Sequence, residues 1–250
     1  MPRLIDLTQN RTLAIRQGGR RYSITVAPIP QPVWVETFFD AIEATVKCGD
    51  GRAEKHVDVR SAAVELVERV ATAAEGYPGL ANQSGWQSKL PLAHRLTYGE
   101  MLIEAYEPQG AGSEISSPDG THSVRLQALW SAGPTGAMCM HRHLGHKFKV
   151  PSGQQKEQLR RANAGIWRSA GWSRRGTPVF LASLSSEADH VLAALYDQLI
   201  LSVEGYSQGG QPLHGDRAEI ARSMDAFHKV TAARSLFSRS GAKSEHRRVA

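Results

Sequence analysis

Cysteine is nearly absent from this chain: 250 residues contain only Cys48 and Cys139. Such a pair builds no disulfide framework and fits a reducing compartment. Long apolar stretches are missing too, with no run of the roughly 18 residues a membrane span needs. The opening "MPRLIDLTQNRTLAIRQGG" has no apolar segment of the secretory type. The expected location is therefore cytoplasmic. Catalytic signatures are equally scarce. There is no GxxxxGK[ST] loop, HExxH pair or CxxC pair, which removes the most recognisable nucleotide, metallopeptidase and redox motifs. "QGAGSEI" has too few glycines for a dinucleotide fingerprint.

The chain does have material for a core, since 41% of its residues are apolar, enough for one large core or two modest ones. Its net charge is +6, and +5 of that lies from His228 onward, where Lys229, Arg234, Arg239, Lys243, Arg247 and Arg248 stand against Glu245. A basic end of this kind attracts acidic partners without reading sequence. The closing "SRSGAKSEHRRVA" is small, polar and unpatterned, and residues 241–250 read as a flexible basic tail.

Internal similarity is the strongest signal. "ELVERVATAAEGYPG" (65–79) aligns with "ALYDQLILSVEGYSQ" (194–208) at a shift of 129, pairing Leu66 with Leu195, Glu68 with Asp197, Val70 with Leu199, and Glu75-Gly76-Tyr77 with Glu204-Gly205-Tyr206. At a shift of 134, "AHRLTYGEMLI" (93–103) lies on "FHKVTAARSLF" (227–237), pairing His94 with His228 and Arg95 with Lys229. At a shift of 124, "RYSITVAP" (21–28) lies on "KFKVPSG" (147–153). The order is the same in both halves, and loops absorb such differences in spacing. The chain reads as two diverged copies of one unit, 10–109 and 122–240, around a Gly/Ser/Pro-rich linker or loop at 110–121.

Each copy has two alternating runs followed by helical patterns. "TLAIRQGGRRYSITV" predicts a hairpin around Gly18-Gly19, because glycine takes the positive φ of tight turns. "HSVRLQALW", "SAGPTG" and "AMCMHRHLGHKFKV" predict a second hairpin with a longer loop. Helices are expected over 32–47, over 152–167 with Ser152 as N-cap, and through "DVRSAAVELVERVATAA" and "SEADHVLAALYDQLILSV", ending at Gly76 and Gly205. A final short helix is expected to carry His94 or His228. The strand-like "MLIEAYEP" and "HSVRLQALW" would pair across the linker. Trp34, Phe38 and Phe39 should anchor the first copy, and Trp130, Phe148, Trp167 and Trp172 the second. The expected class is α+β, mainly antiparallel strands with helices packed on one face.

One stretch invites metal chemistry. "MCMHRHLGHKF" (138–148) offers Cys139, His141 and His143 at alternate positions, with His146 beyond them, and thiolate and imidazole are good zinc and copper ligands. Alternate Cβ atoms on a strand lie about 7 Å apart, too far to share one ion without a bend. At the 124 shift the other copy carries Ile15, Gln17, Gly19 and Tyr22 instead. The expectation is a strand face dressed with imidazole, with no metal or cofactor. Asp216, near His214, reads as a helix cap. His94 and His228 read as packing or capping residues, and Tyr77 and Tyr206 as rings folded back on the preceding helix. "GWSRRGTP", with Arg174 and Arg175, could form a base-stacking platform.

Hairpins with a basic second strand ending in "FKVP" or "ITVAP", then a polar helix, "LYDQLILSVEGY" and "HKVTAARSLF", resemble proteins of the tail-gene clusters of long-tailed bacteriophages and prophages, the tail-assembly chaperone-like and minor tail proteins. That resemblance implies a non-enzymatic structural or assembly protein that binds other tail components, in the cytoplasm of a bacterial host or in the virion; self-association is possible, and the absence of long apolar runs and the placing of the charge make neither a membrane nor nucleic acid the expected partner. It carries over no catalytic residues. The alternatives are a nucleic-acid-associated protein using the basic C-terminus, and a metal-binding protein using Cys139, His141, His143 and His146.

Overall fold

The computed structural model describes residues 4–39, 44–47, 53–56, 59–80, 83–106, 108–114, 120–132, 137–163, 169–172, 178–181 and 186–245. The first half contains β1 (Ile5–Asp6), β2 (Arg11–Gln17), β3 (Arg20–Val26), α1 (Gln31–Trp34) continuing into a π-helical turn (Val35–Phe39), β4 (Ala44–Lys47), β5 (Ala53–His56), α2 (Val59–Val70), β6 (Ala71–Glu75), α3 (Trp86–Lys89), α4 (Leu92–Tyr106) and β7 (Pro108–Glu114). The second contains β8 (Thr121–Ala132), β9 (Ala137–Lys149), α5 (Gly153–Asn163), β10 (Ser169–Trp172), β11 (Pro178–Leu181), α6 (Ser186–Leu199), β12 (Ile200–Glu204), β13 (Tyr206–Gln208), β14 (Gln211–Pro212), α7 (Arg217–Ser223) and α8 (Ala226–Glu245). The class is α+β, as expected. The sheets run β2-β3-β6, β12-β9-β8-β7, β4-β5, β10-β11 and β1-β13-β14, and among the described pairings only β1 with β13 is parallel.

The two halves share a local plan. In each, a hairpin is followed by a helix, a small two-stranded ribbon, a longer helix, and a strand that returns to pair antiparallel with the hairpin's second strand: β6 on β3, and β12 on β9. The returning strands correct an expectation. "ATAAE" and "ILSVE" were to extend α2 and α6, but the helices end at Val70 and Leu199 and the chain continues as β6 and β12. Sheet pairing overrides the helix propensity of the alanines. Gly76 and Gly205 therefore end strands, at φ +85 and +87. A Cβ there would meet the carbonyls of Arg21 and His143 at 2.5 and 2.7 Å, so both positions require glycine on two counts.

Other boundaries also move. The 32–47 pattern yields only α1 and its π-turn, because Ala44–Lys47 pairs with Ala53–His56. "MLIEAYEP" is mostly the end of α4, and "PQGAGSE" pairs with β8; residues 110–114, expected as linker, thus belong to the larger sheet. The helix bearing His94 is 15 residues long and that bearing His228 is 20, and it runs through 241–245, where a tail was expected to begin. Asp216 caps α7 by accepting from the Glu219 N–H at 2.9 Å. Ser152 and Gln155 exchange backbone-to-side-chain hydrogen bonds at 3.0 and 3.2 Å, a capping box for α5. Cys48, Ile42, Ile166, Trp167, Arg174 and Arg175 lie outside the described residues, as do the side chains of Phe38, Phe39 and Trp172.

Along β8, Val124, Leu126, Ala128 and Trp130 are buried while Arg125 and Gln127 are exposed, so one face of the sheet is covered. α8 packs on β7 and β8, and α4 packs on β8 and β2. These contacts carry one hydrophobic core through both halves, with Trp34, Trp130 and Phe148 inside it. Among the described residues, no helix is long and apolar enough to cross a membrane.

Candidate functional site

Pairing register decides where the β9 side chains point. Leu126 faces Leu144, but Ala128 faces His141, so β9 carries an extra residue between them and its alternation resets. Cys139 and His141 stand opposite Trp130 and Ala128. His143 is exposed, and so is Met140. His146 lies beyond the bulge and is buried. The four candidate metal ligands do not converge, and no group of three or more His, Cys, Asp or Glu among the described residues is arranged to hold an ion.

His146 instead joins an interior hydrogen-bonded chain. Its Nδ1 bonds to the Tyr196 hydroxyl at 2.9 Å, its Nε2 to the Tyr206 hydroxyl at 2.9 Å, and Tyr206 continues to His228 Nδ1 at 2.7 Å. A neutral imidazole offers one donor and one acceptor, so His146 donates to one of its two tyrosine hydroxyls and accepts from the other. β9, α6, β13 and α8 each supply one member. None is more than 2% exposed. Burial holds the His146 imidazole well below its ordinary value, and burial with the nearby Arg11 charge brings His228 down to about 3. Burial also raises both phenols. All four groups are therefore neutral near pH 7.

Arg11 adjoins this chain and is itself fully buried. Its guanidinium lies between the rings of Tyr106 and Trp130, 3.1 and 3.2 Å from their centroids, a double cation–π contact. Desolvation lowers it to about 10, against the opposing charge of Asp225. Asp225 caps α8 through the Phe227 N–H at 2.9 Å, and burial raises its carboxyl to about 6. Arg11 comes from the first half, Trp130 and Asp225 from the second. A cleft of about 500 Å³ opens beside this seam, with Ile29, Gln31, Tyr106, Met224 and Asp225 in its walls.

The first half holds a related set nearer the surface. Tyr77 bonds through its hydroxyl to His94 Nδ1 at 2.8 Å and to Tyr98 at 3.1 Å, and His94 Nε2 bonds to Gln17 Oε1. The Gln17 oxygen only accepts, so Nε2 carries the proton and Nδ1 accepts from Tyr77. Tyr22 packs its ring 5.0 Å from Tyr77 and 4.9 Å from His94. Gln17 is exposed, and Tyr22 and Tyr77 are half-buried. Neighbouring ion pairs match as well: Arg95 with Glu68, and Lys229 with Asp197 at 2.9 Å.

The chain matches no protein-family model, no curated protein and no solved structure. Its own residues carry the remaining argument. The structure places Tyr77 against His94 and Tyr206 against His228, four residues singled out in sequence but never joined there. Their joint recurrence after Glu-Gly was the available signal. Tyr196, Arg11 and Asp225 had none, since an arginine in a polar strand reads as a surface residue. His214 is exposed, and Asp216 is occupied as a cap.

Proposed function

We propose that this chain is a non-enzymatic structural or assembly protein of a phage-like tail, acting by binding other proteins. The observation that carries the reading is the Tyr196–His146–Tyr206–His228 chain. The side chains most suited to acid–base chemistry bond to one another inside the core and serve as struts between α6, β9, β13 and α8. The tail assignment rests on the resemblance of the hairpin, "EGY" and "HKVTAARSLF" segments.

The same reading takes the halves as diverged copies of one unit. The shared strand order, the paired Gly76 and Gly205, and the Tyr–His and ion-pair contacts at aligned positions support this. Two linked copies enlarge a binding surface, and strand edges accept partner strands. The test is mass spectrometry of gradient-purified tails and assembly intermediates from cells with and without the gene. The expected result is the chain in one of those fractions and failure of tail assembly without it. Tails of normal yield and composition in its absence would overturn the reading.

A further inference from the structure

The cleft beside the Arg11 seam contains hydrogen-bond donors that the fold leaves unused. Its walls come from the β3–α1 turn and the end of α4 on one side, and from β13, α7 and the residues before α8 on the other. Ile29, Tyr106 and Met224 give it apolar surface. Gln31 also lines it, and its Oε1 accepts from Lys229 Nζ at 2.7 Å. An ammonium only donates, so the lysine holds the carboxamide oxygen and leaves the Gln31 NH2 over. Gln208 Oε1 likewise accepts from the Ser223 hydroxyl at 3.0 Å. Neither NH2 group has a partner among the described residues, and exposed Arg222 on α7 has neither hydrogen bond nor ion pair there. The acceptors in the same walls are placed differently. Asp225 accepts from the Phe227 N–H at 2.9 Å and its charge is opposed by Arg11, so it is committed to α8 and the seam. Glu219 is exposed, one turn before Arg222 and not paired with it.

We propose that this cleft binds a monocarboxylate carried on a small apolar group, the carboxylate taken by Arg222 with the Gln31 and Gln208 NH2 groups and the apolar part lying on Ile29, Tyr106 and Met224. A guanidinium and two carboxamide donors match a group that only accepts. The other ligand classes fit less well. A phosphate dianion would bring two charges to walls that hold two carboxylates and one uncommitted guanidinium. An amine would need Asp225, which already caps α8 and lies beside the buried Arg11 cation. A volume of about 500 Å³ suits a small organic group. Under the protein-binding reading, the source is the C-terminal residue of a partner chain. Only that choice of source rests on the reading; a free carboxylate offers the same chemistry.

The test is an NMR titration of the isotope-labelled full chain with N-acetyl-leucine, its neutral amide, and leucinamide, which carries an amine and no carboxylate. R222Q, a change at an exposed position, is compared with R160Q, which alters an exposed arginine bound to Glu157 on α5. The expected result is saturable binding of N-acetyl-leucine, with shifts at Gln31, Gln208 and Met224. Its amide should bind about tenfold more weakly, R222Q should weaken the acid about tenfold, and R160Q should change it less than about twofold. No saturable binding of the acid, equal affinity for acid and amide, tighter binding of leucinamide, or equal loss in both variants would each overturn the proposal. A tetra-alanyl-leucine peptide with a free C-terminus separates the sources. Binding at least as tight as that of N-acetyl-leucine supports a partner's C-terminus; weaker binding overturns that source and supports a free carboxylate. The gene-deletion experiment is independent of these outcomes, so loss of the cleft proposal and loss of the assembly reading are separable.

Discussion

The Tyr206–His228 and Tyr77–His94 pairs make the same contact at two depths, 2.7 and 2.8 Å. The inner pair extends through His146 to Tyr196 and lies beside a buried arginine; the outer pair extends through Gln17 to the solvent-facing hairpin. A hydrogen bond exchanged with water contributes little net, whereas one whose partner is lost in a dry interior leaves an unsatisfied group. The inner pair should therefore hold the fold together, and the outer pair should position a surface. The surrounding sequence agrees: β9 supplies His146 and Phe148 to the core where β3 supplies Ile24 and Val26.

The largest expected effect comes from the charge beside the inner set. Arg11→Ala removes the cation from between Tyr106 and Trp130 and leaves the Asp225 charge unopposed, and should cost about 3–5 kcal/mol in urea denaturation. Arg11→Met refills the slot but also leaves Asp225 unopposed, so it should recover only the packing part of that loss, and adding Asp225→Asn should recover more; no recovery from the second substitution would show that the unopposed charge is not the cause. Next, Tyr206→Phe should destabilise by about 1–3 kcal/mol and Tyr77→Phe by about 0.5–1.5 kcal/mol. Equal values would remove the distinction between the two depths.

Acid should act mainly on the inner set. A histidine whose folded value is depressed contributes its stability in full above 6.5 and loses it as pH falls toward the folded value, about 3 for His228. A carboxyl with a raised folded value does the reverse. Asp225 and Asp189, both near 6 through burial, gain stability as pH falls from there toward 3.8. The unfolding free energy should thus drop by about 1 kcal/mol between pH 7 and 6 and then flatten. Asp225→Asn removes part of that offset and should let the fall continue.

Much of this was legible as pattern and little as contact. The Gly18-Gly19 hairpin, the Asp216 cap and the Ser152 capping box follow from local chemistry, and the structure places each where expected. The hairpin alignment did not resolve. The pairings Ile24 with Ala74 and His146 with Val203 set the shift at 122, not 124, and a two-residue slip keeps every side chain on its face, so alternation cannot detect it. At 122, His146 replaces the buried Ile24, which makes it an interior residue. The turn from helix to strand at Val70 and Leu199 was hidden because β3 and β9, which impose it, are distant in sequence. Arg11 was hidden because two rings from other elements bury it.

The most direct test of the central claim, that the inner histidines are neutral struts, is a histidine-ring NMR titration of the folded chain from pH 8 to 5. The account predicts that His146 and His228 keep neutral-ring shifts throughout. Protonation of either near 6.5 without unfolding would contradict it.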